Sequence, residues 1–349
     1  MSAHRIRVLL AEGSAITRMF LAQLLDSDPA LQVVAAVSDG QAAVDGVARY
    51  RPDVILMDID MPRLDGFEAT RAIMGSHAVP IVVCSAIPAC GDVAIGFRAM
   101  EAGAIACVEK PLGPACRGFE VLAAQLLETV KLMSEVKVVR RTGRCPTPCA
   151  QVPPGTVQVV GIGSSTGGPA ILQTIFAALP KDFPVPILVV QHLARGFLAG
   201  MAAWLNGSSS LRVELGAHGL LPLPGHVYLA PDDFHMTLGR EGRIVLSREA
   251  PEEHLRPAAS HLFRSLADVH GARAAGVMLS GMGRDGAAEL KLMRDRGAVT
   301  IVQDRGSAAV YGMPGAAIEA GGALHVLPAD RIAGQLIAIA GGGAARERH

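Results

Sequence analysis

Short apolar runs alternate with stretches of helical period along most of the chain. Arg5 to Ala11 reads as a strand, and Ser14 to Leu25 reads as a helix with Ser14 at its N-cap. Gln32 to Val37, Val54 to Met57, Ile81 to Cys84 and Ile105 to Val108 read as further strands. Helical segments at Gln41 to Tyr50, Gly66 to Met74 and Val93 to Ala102 separate them, and a segment after Phe119 closes the set. Five βα units imply a parallel sheet with helices on both faces.

The pattern breaks between Ser134 and Thr156, where Arg140, Arg141 and Arg144 are followed by Pro146, Pro148, Pro153, Pro154 and Gly155. Proline removes backbone donors and the charges resist burial, so this stretch reads as a solvated linker. Cys145 and Cys149 lie in it, but a metal site there lacks two further ligands. Alternation resumes with strands at Val157 to Ile162, Val185 to Val190, Val227 to Ala230, Gly276 to Ser280, Ala298 to Val302 and Leu324 to Leu327. The expected helices are Ala170 to Ala178, Phe197 to Leu205, Ser260 to Val269, Ala287 to Arg296 and Arg331 to Ala340. Met236 to Leu246 reads as a hairpin turning at Gly239 to Gly242. The expected class is α/β with two doubly wound parallel-sheet domains: residues 1–122, a helix end and Pro/Arg-rich linker over 123–155, and a larger domain over 156–345.

Composition narrows the function. Of 349 residues, 50% are hydrophobic and 18% charged, which argues against extended disorder. Lys+Arg and Asp+Glu balance at 32 each, so no global field favours nucleic acid or an anionic membrane. No apolar run approaches the ~20 residues of a membrane span, and the four apolar residues before Glu12 are too few for a signal-peptide core. All six cysteines fall between Cys84 and Cys149, which is no disulfide framework and fits a reducing cytoplasm.

In the larger domain, Gly163-Ser-Ser165-Thr-Gly167 lies between an expected strand and an expected helix, the context that a G-x-S-x-G turn requires. The turn would project Ser165 above the sheet edge, beside free N–H groups of the following helix. A glycine-rich structural turn is one alternative. A dinucleotide loop is another, since Gly161-x-Gly163-x-x-Thr166 nearly matches that fingerprint. However, Gln191 and His192 stand where the ribose-binding acid belongs. His192, at the next strand end, is placed to act as general base toward Ser165, and Asp285 in Gly281-Met-Gly-Arg-Asp-Gly286 to orient the imidazole. Asp285 could instead be a helix N-cap, and Asp232, Asp233 and Asp304 compete with it. The chain order Ser, His, Asp differs from the α/β-hydrolase order. The residues alone point to a serine-type acyl-transfer enzyme.

In the smaller domain, Asp58 closes the third strand, Ser85 follows the fourth and Lys110-Pro111 follows the fifth. A carboxylate, a hydroxyl and an ammonium on three strand-end loops form a phosphoryl-accepting set, with Mg²⁺ to neutralise charge. The Lys110–Pro111 bond is expected to be cis.

The first domain resembles the receiver domain of two-component response regulators. The second resembles the chemotaxis receptor methylesterase family (CheB), through Gly-Ser-Ser165-Thr-Gly-Gly-Pro169, Gln-His192 with Gly196-Phe197, Leu229-Ala-Pro-Asp-Asp-Phe-His-Met236, Gly281-Met-Gly-Arg-Asp-Gly286 and Tyr311-Gly-Met-Pro314. The resemblance implies a triad of Ser165, His192 and Asp285, an oxyanion hole using the Met282 amide, and a positioning role for Thr166. It implies hydrolysis of glutamyl methyl esters on methyl-accepting chemotaxis receptors and deamidation of receptor glutamines, with no cofactor in that step. It also implies phosphorylation of Asp58 by a histidine kinase, and an unphosphorylated receiver that covers the catalytic cleft. The strand-1 acidic pair that binds Mg²⁺ aligns with Glu12 and Gly13, so one carboxylate is missing and Mg²⁺ affinity should fall. The aromatic switch position is Cys107. Two rival functions remain open on sequence: the same hydrolase chemistry outside chemotaxis, and a non-enzymatic docking protein.

Overall fold

A computed structural model describes residues 5–85, 93–111, 113, 118–136, 157–193 and 196–341. The linker arginines, Cys145 and Cys149 lie outside the described residues. The chain divides into two compact units, Met1–Thr142 and Gly143–His349. Among the described residues, no helix is long and apolar enough to cross a membrane.

The first unit runs β1 (Ile6–Ala11), α1 (Ala15–Asp26), β2 (Leu31–Val37), α2 (Gly40–Tyr50), β3 (Val54–Asp58), α3 (Gly66–Ser76), β4 (Ile81–Ser85), α4 (Val93–Ala102), β5 (Ala106–Glu109) and α5 (Phe119–Ser134). The boundary read at residue 122 falls inside α5. The strands form one parallel sheet in the order β2-β1-β3-β4-β5. Helices begin where a short polar side chain accepts an otherwise orphaned N–H: Ser14 from Thr17, Asp39 from Ala42 and Asp65 from Glu68. The central strands β3 and β4 are apolar on both faces because helices cover both. Leu9, Ile55, Met57, Val83, Phe67 and Ile73 belong to the core beneath one helical layer.

The second unit opens with β6 (Val159–Ser164), α6 (Gly168–Ala178), β7 (Ile187–Gln191), α7 (Leu198–Ser208), β8 (Arg212–Leu215) and β9 (His226–Leu229). A hairpin follows, β10 (His235–Leu238) and β11 (Ile244–Ser247), antiparallel as expected. Then come α8 (Ala259–Val269), β12 (Ala274–Met278), α9 (Ala287–Asp295), β13 (Val299–Gln303), α10 (Gly312–Glu319), β14 (His325–Leu327) and α11 (Ala329–Ala340). Seven strands make a wholly parallel sheet in the order β14-β13-β12-β6-β7-β9-β8.

The first strand of this sheet, β6, sits in the middle. The chain leaves it toward β7 on one side and later returns to β12 on the other. The loops after β6 and β12 therefore diverge, which opens a crevice at their carboxyl ends. The glycines of Gly161-Ile-Gly163 serve packing here. A Cβ at Gly161 would stand 2.4 Å from Leu266 Cδ1, and one at Gly163 would stand 2.9 Å from Ala259 Cβ. Helix α8 thus lies directly on β6, with Leu262, Phe263 and Leu266 wholly buried. Burying side chains of this size stabilises by about 1.5–3 kcal/mol each, and Phe263→Ala would cost roughly 3–5 kcal/mol.

Candidate active site

Ser165 follows β6 directly and His192 follows β7 directly. The strands pair in register to Ser164↔Gln191, so the two residues leave neighbouring strand ends side by side. The His192 amide donates to the Ser164 carbonyl at 2.9 Å, and the Ser165 amide donates to the Ser280 carbonyl at 2.9 Å. Ser165 is half-buried, and the His192 side chain is 10% exposed.

Asp285 comes from the loop after β12. Its Oδ2 lies 3.0 Å from His192 Nε2. The approach is short but not aligned as a hydrogen bond, a state common in resting sites that tighten on substrate. The same carboxylate also ends a helix. Its Oδ2 accepts from the Ala259 amide at 2.5 Å and its Oδ1 from the Ser260 amide at 3.0 Å. It thereby caps α8, whose own N-cap residue, Ala258, supplies no side-chain acceptor. The N-cap alternative read from sequence therefore holds as well, but for α8 rather than for the adjoining α9. Burial alone would raise the Asp285 pKa. The His192 contact and the two amides outweigh it and hold the carboxyl below its ordinary range.

Two of the three rival carboxylates are engaged elsewhere. Asp232 Oδ2 accepts from the Gly196 amide at 2.8 Å, and Asp304 Oδ1 accepts from both the amide and the hydroxyl of Ser307. A cavity of about 450 Å³ borders Asp285, lined also by Ser260, Arg284, Glu289 and Glu319. Ser165 and His192 do not line it.

Met282 is 49% exposed at the rim. Its neighbour Gly281 is pinned on both sides, donating to Val310 O at 3.0 Å and accepting from Met313 N at 2.8 Å. The Met282 amide makes no hydrogen bond among the described residues and is free to donate to an oxyanion. Thr166 lies beside Ser165, and its carbonyl accepts from Ser280 Oγ at 2.7 Å. Sequence reasoning assigns no role to Ser280, nor to the buried Gln191 beyond its place beside His192. The contacts of both are ones that only the sheet brings together.

In the first unit, Lys110 Nζ lies 2.8 Å from Asp58 Oδ1 and 2.7 Å from Glu12 Oε2, all three groups buried. Ser85 is buried and its carbonyl accepts from the Lys110 amide at 2.7 Å. Burial would depress the lysine, but hydrogen bonds to Asp58 and Glu12 outweigh it and hold its pKa above the ordinary value. Burial pushes the Glu12 carboxyl up, against the pull of Lys110 and the Ser14 amide. The Lys110–Pro111 bond is trans, contrary to the sequence expectation; the cis bond among the described residues is Arg256–Pro257. Lys110 needs no such device, since its backbone and its ammonium are both already tied. Cys107 is exposed on β5.

The donor set fits Mg²⁺ poorly. Glu12 Oε1 accepts from the Ser14 amide at 2.9 Å while Oε2 faces Lys110, so both of its oxygens are engaged. Nor is there room at Gly13 for a second carboxylate, because a Cβ there would stand 2.9 Å from Asp60 O. No group of three metal-ligating side chains occurs among the described residues.

Comparison with known proteins identifies relatives of both units. A family model described as CheB methylesterase matches residues 160–336, and one described as response regulator receiver domain matches residues 8–116. The chain is 48% identical to "Protein-glutamate methylesterase/protein-glutamine glutaminase 4" of Geobacter metallireducens, covering 96% of this chain and 99% of that one. It is 46% identical to the protein-glutamate methylesterase/protein-glutamine glutaminase of Nitrosospira multiformis, covering 95% and 96%. The crystal structure of the Thermotoga maritima CheB methylesterase catalytic domain matches with a TM-score of 0.51 and 38% identity, over 52% of this chain and 97% of that one.

Proposed function

Because this chain belongs to the CheB methylesterase family, we propose that it hydrolyses glutamyl methyl esters on methyl-accepting chemotaxis receptors and deamidates receptor glutamines. Ser165 is the nucleophile, His192 the base and Asp285 the group that orients and stabilises the imidazole. The 3.0 Å approach of Asp285 to His192 Nε2 carries the reading, because it leaves Nδ1 as the nitrogen that serves the serine.

The steps follow from that arrangement. Ser165 Oγ attacks the side-chain carbonyl carbon while Nδ1 takes its proton, and the Met282 amide stabilises the oxyanion. The tetrahedral species collapses, the bond to methoxide breaks, and His192 returns the proton to release methanol. With a glutamine, ammonia leaves instead. Water then attacks the acyl-enzyme, giving its proton to His192, and the ester to Ser165 breaks to yield glutamate and free serine. The depressed Asp285 carboxyl stays ionised throughout and stabilises the imidazolium. The protein acts in the cytoplasm, where receptor methylation sites and a histidine kinase can both reach it.

The first unit is the regulator in this reading. Asp58 accepts the phosphoryl group, displacing Lys110 from its present pairing, and the change releases the catalytic unit from inhibition. Mg²⁺ binding at Glu12 and Asp58 is weakened. The test is incubation with receptors carrying radiolabelled methyl esters. Labelled methanol is expected, and its absence from every methylated receptor preparation would contradict the assignment.

A further inference from the structure

Gln191 is the last residue of β7 and is 1% exposed. Its Nε2 donates to the Ser165 carbonyl at 2.8 Å and to the His192 carbonyl at 3.0 Å, while Oε1 accepts from Ser164 Oγ at 2.7 Å. One buried amide thus joins the nucleophile's residue to the base's residue, with every polar atom of its head used. Only a primary amide can do this. The two carbonyls demand two N–H donors on a single atom, and the hydroxyl demands an acceptor beside it. A carboxylate would set an oxygen against both carbonyls. Gly168 makes room for this head, since a Cβ there would stand 2.3 Å from Gln191 Oε1.

On the opposite flank, Gln303 ends β13, wholly buried. Its Oε1 accepts from the Ser280 amide at 2.8 Å, and Ser280 Oγ donates to the Thr166 carbonyl. The serine loop is therefore held on both sides, but Gln191 alone among these side chains reaches both reacting residues.

We propose that Gln191 is a positioning residue of the hydrolytic site: its amide fixes the distance and angle between Ser165 and His192. The proposal rests on the reading of those two residues as nucleophile and base. Gln191 touches no substrate, so it should act on the chemical step and leave substrate binding alone. A displacement of about 1 Å at a reacting pair costs roughly 10²-fold in rate.

The test uses the full-length protein and reads three quantities: kcat and KM for methanol release, and the rate at which a fluorophosphonate probe modifies Ser165. Gln191→Met keeps the side-chain length and deletes both tethers. It should lower kcat and the phosphonylation rate together by roughly 10- to 100-fold while KM stays near the wild-type value. Gln191→Glu keeps the shape but sets an anion against two carbonyls, and burial raises its pKa. Its activity relative to wild type should recover as pH falls and the protonated carboxyl regains one donor, a response that general loosening of the fold would not give. Ser164→Ala removes only the hydroxyl that sets the amide's orientation. It should show a smaller loss in the same sense, and it carries the test if Gln191→Met does not fold. Wild-type phosphonylation rates in folded Gln191→Met, or in Ser164→Ala, overturn the proposal while leaving the nucleophile assignment intact. Failure of the probe to modify Ser165 in the wild type overturns both.

Discussion

Replacing Asp285 by asparagine separates its two roles. The carboxylate faces three donors: His192 Nε2 at 3.0 Å, the Ala259 amide at 2.5 Å and the Ser260 amide at 3.0 Å. An asparagine has one acceptor oxygen, so its NH₂ faces either the Ser260 amide or, in the place of Oδ2, both the imidazole and the Ala259 amide; an α8 donor is left unmatched in either orientation. Leaving a buried donor unmatched costs about 1–3 kcal/mol, and losing the negative charge at the α8 N-terminus costs about 0.3–1 kcal/mol more. The total of roughly 1.3–4 kcal/mol should lower the catalytic unit's Tm by about 3–16 °C.

If the NH₂ faces Nε2, that nitrogen must be the unprotonated one. The ring proton then sits on Nδ1, where it blocks proton transfer from Ser165. The kcat loss should be about 10³–10⁴-fold, or about 4–5.5 kcal/mol at 1.36 kcal/mol per tenfold. Methanol release and thermal denaturation on the same preparation measure both effects. The stability gap also has a sign in pH. The folded Asp285 pKa lies below its unfolded value, so its contribution is full above about pH 4 and is lost as pH falls through the lower folded value. The Tm difference should be complete at neutral pH and shrink in acid. A variant that loses stability as described yet keeps kcat within about tenfold of wild type would refute the catalytic role and leave Asp285 a helix cap.

Three further outcomes follow from the same geometry. Gly281→Ala places a Cβ 2.3 Å from Met313 Sδ and 2.8 Å from Ser165 Cβ; it should cost roughly 1–3 kcal/mol by overpacking and lower kcat by displacing the serine, both read by the assays above. Deleting residues 1–142 should raise the basal methanol-release rate, and an unchanged rate removes the autoinhibition model. Phosphoryl-donor labelling should fall to background in Asp58→Asn and should not saturate at ordinary Mg²⁺ concentrations in the wild type. Saturation at ordinary levels would show that Glu12 and Gly13 do not weaken the site.

Much of this was legible in the chain because the buried strands are short apolar runs bounded by polar loops. β3, β4, β6, β7, β12 and β13 are all fully buried, and all were read within two residues or so of their ends. Besides the one-turn 3₁₀ helix Gly271–Arg273, two elements among the described residues escaped the sequence reading. β8 is an edge strand whose Arg212 and Glu214 break the apolar run. α10 contains Gly312, Pro314 and Gly315, poor helix formers that become helical because Met313 and Ala317 pack into the core. The candidate reacting residues, Ser165, His192 and Asp285, could be singled out because strand-end loops in a parallel sheet collect function. The side chains proposed to hold them had no role assigned from sequence, since Gln191, Ser280 and Gln303 are plain polar residues whose contacts depend on a partner strand. Asp285's capping of α8 was hidden for the same reason: Ala259 precedes it by 26 positions.

The most direct measurement compares wild type and Ser165→Ala on one radiolabelled methylated receptor preparation in ¹⁸O-enriched water. The account predicts labelled methanol and one heavy oxygen in each new glutamate carboxyl from the wild type, and background levels of both from Ser165→Ala. Methanol release by Ser165→Ala at the wild-type rate would contradict it.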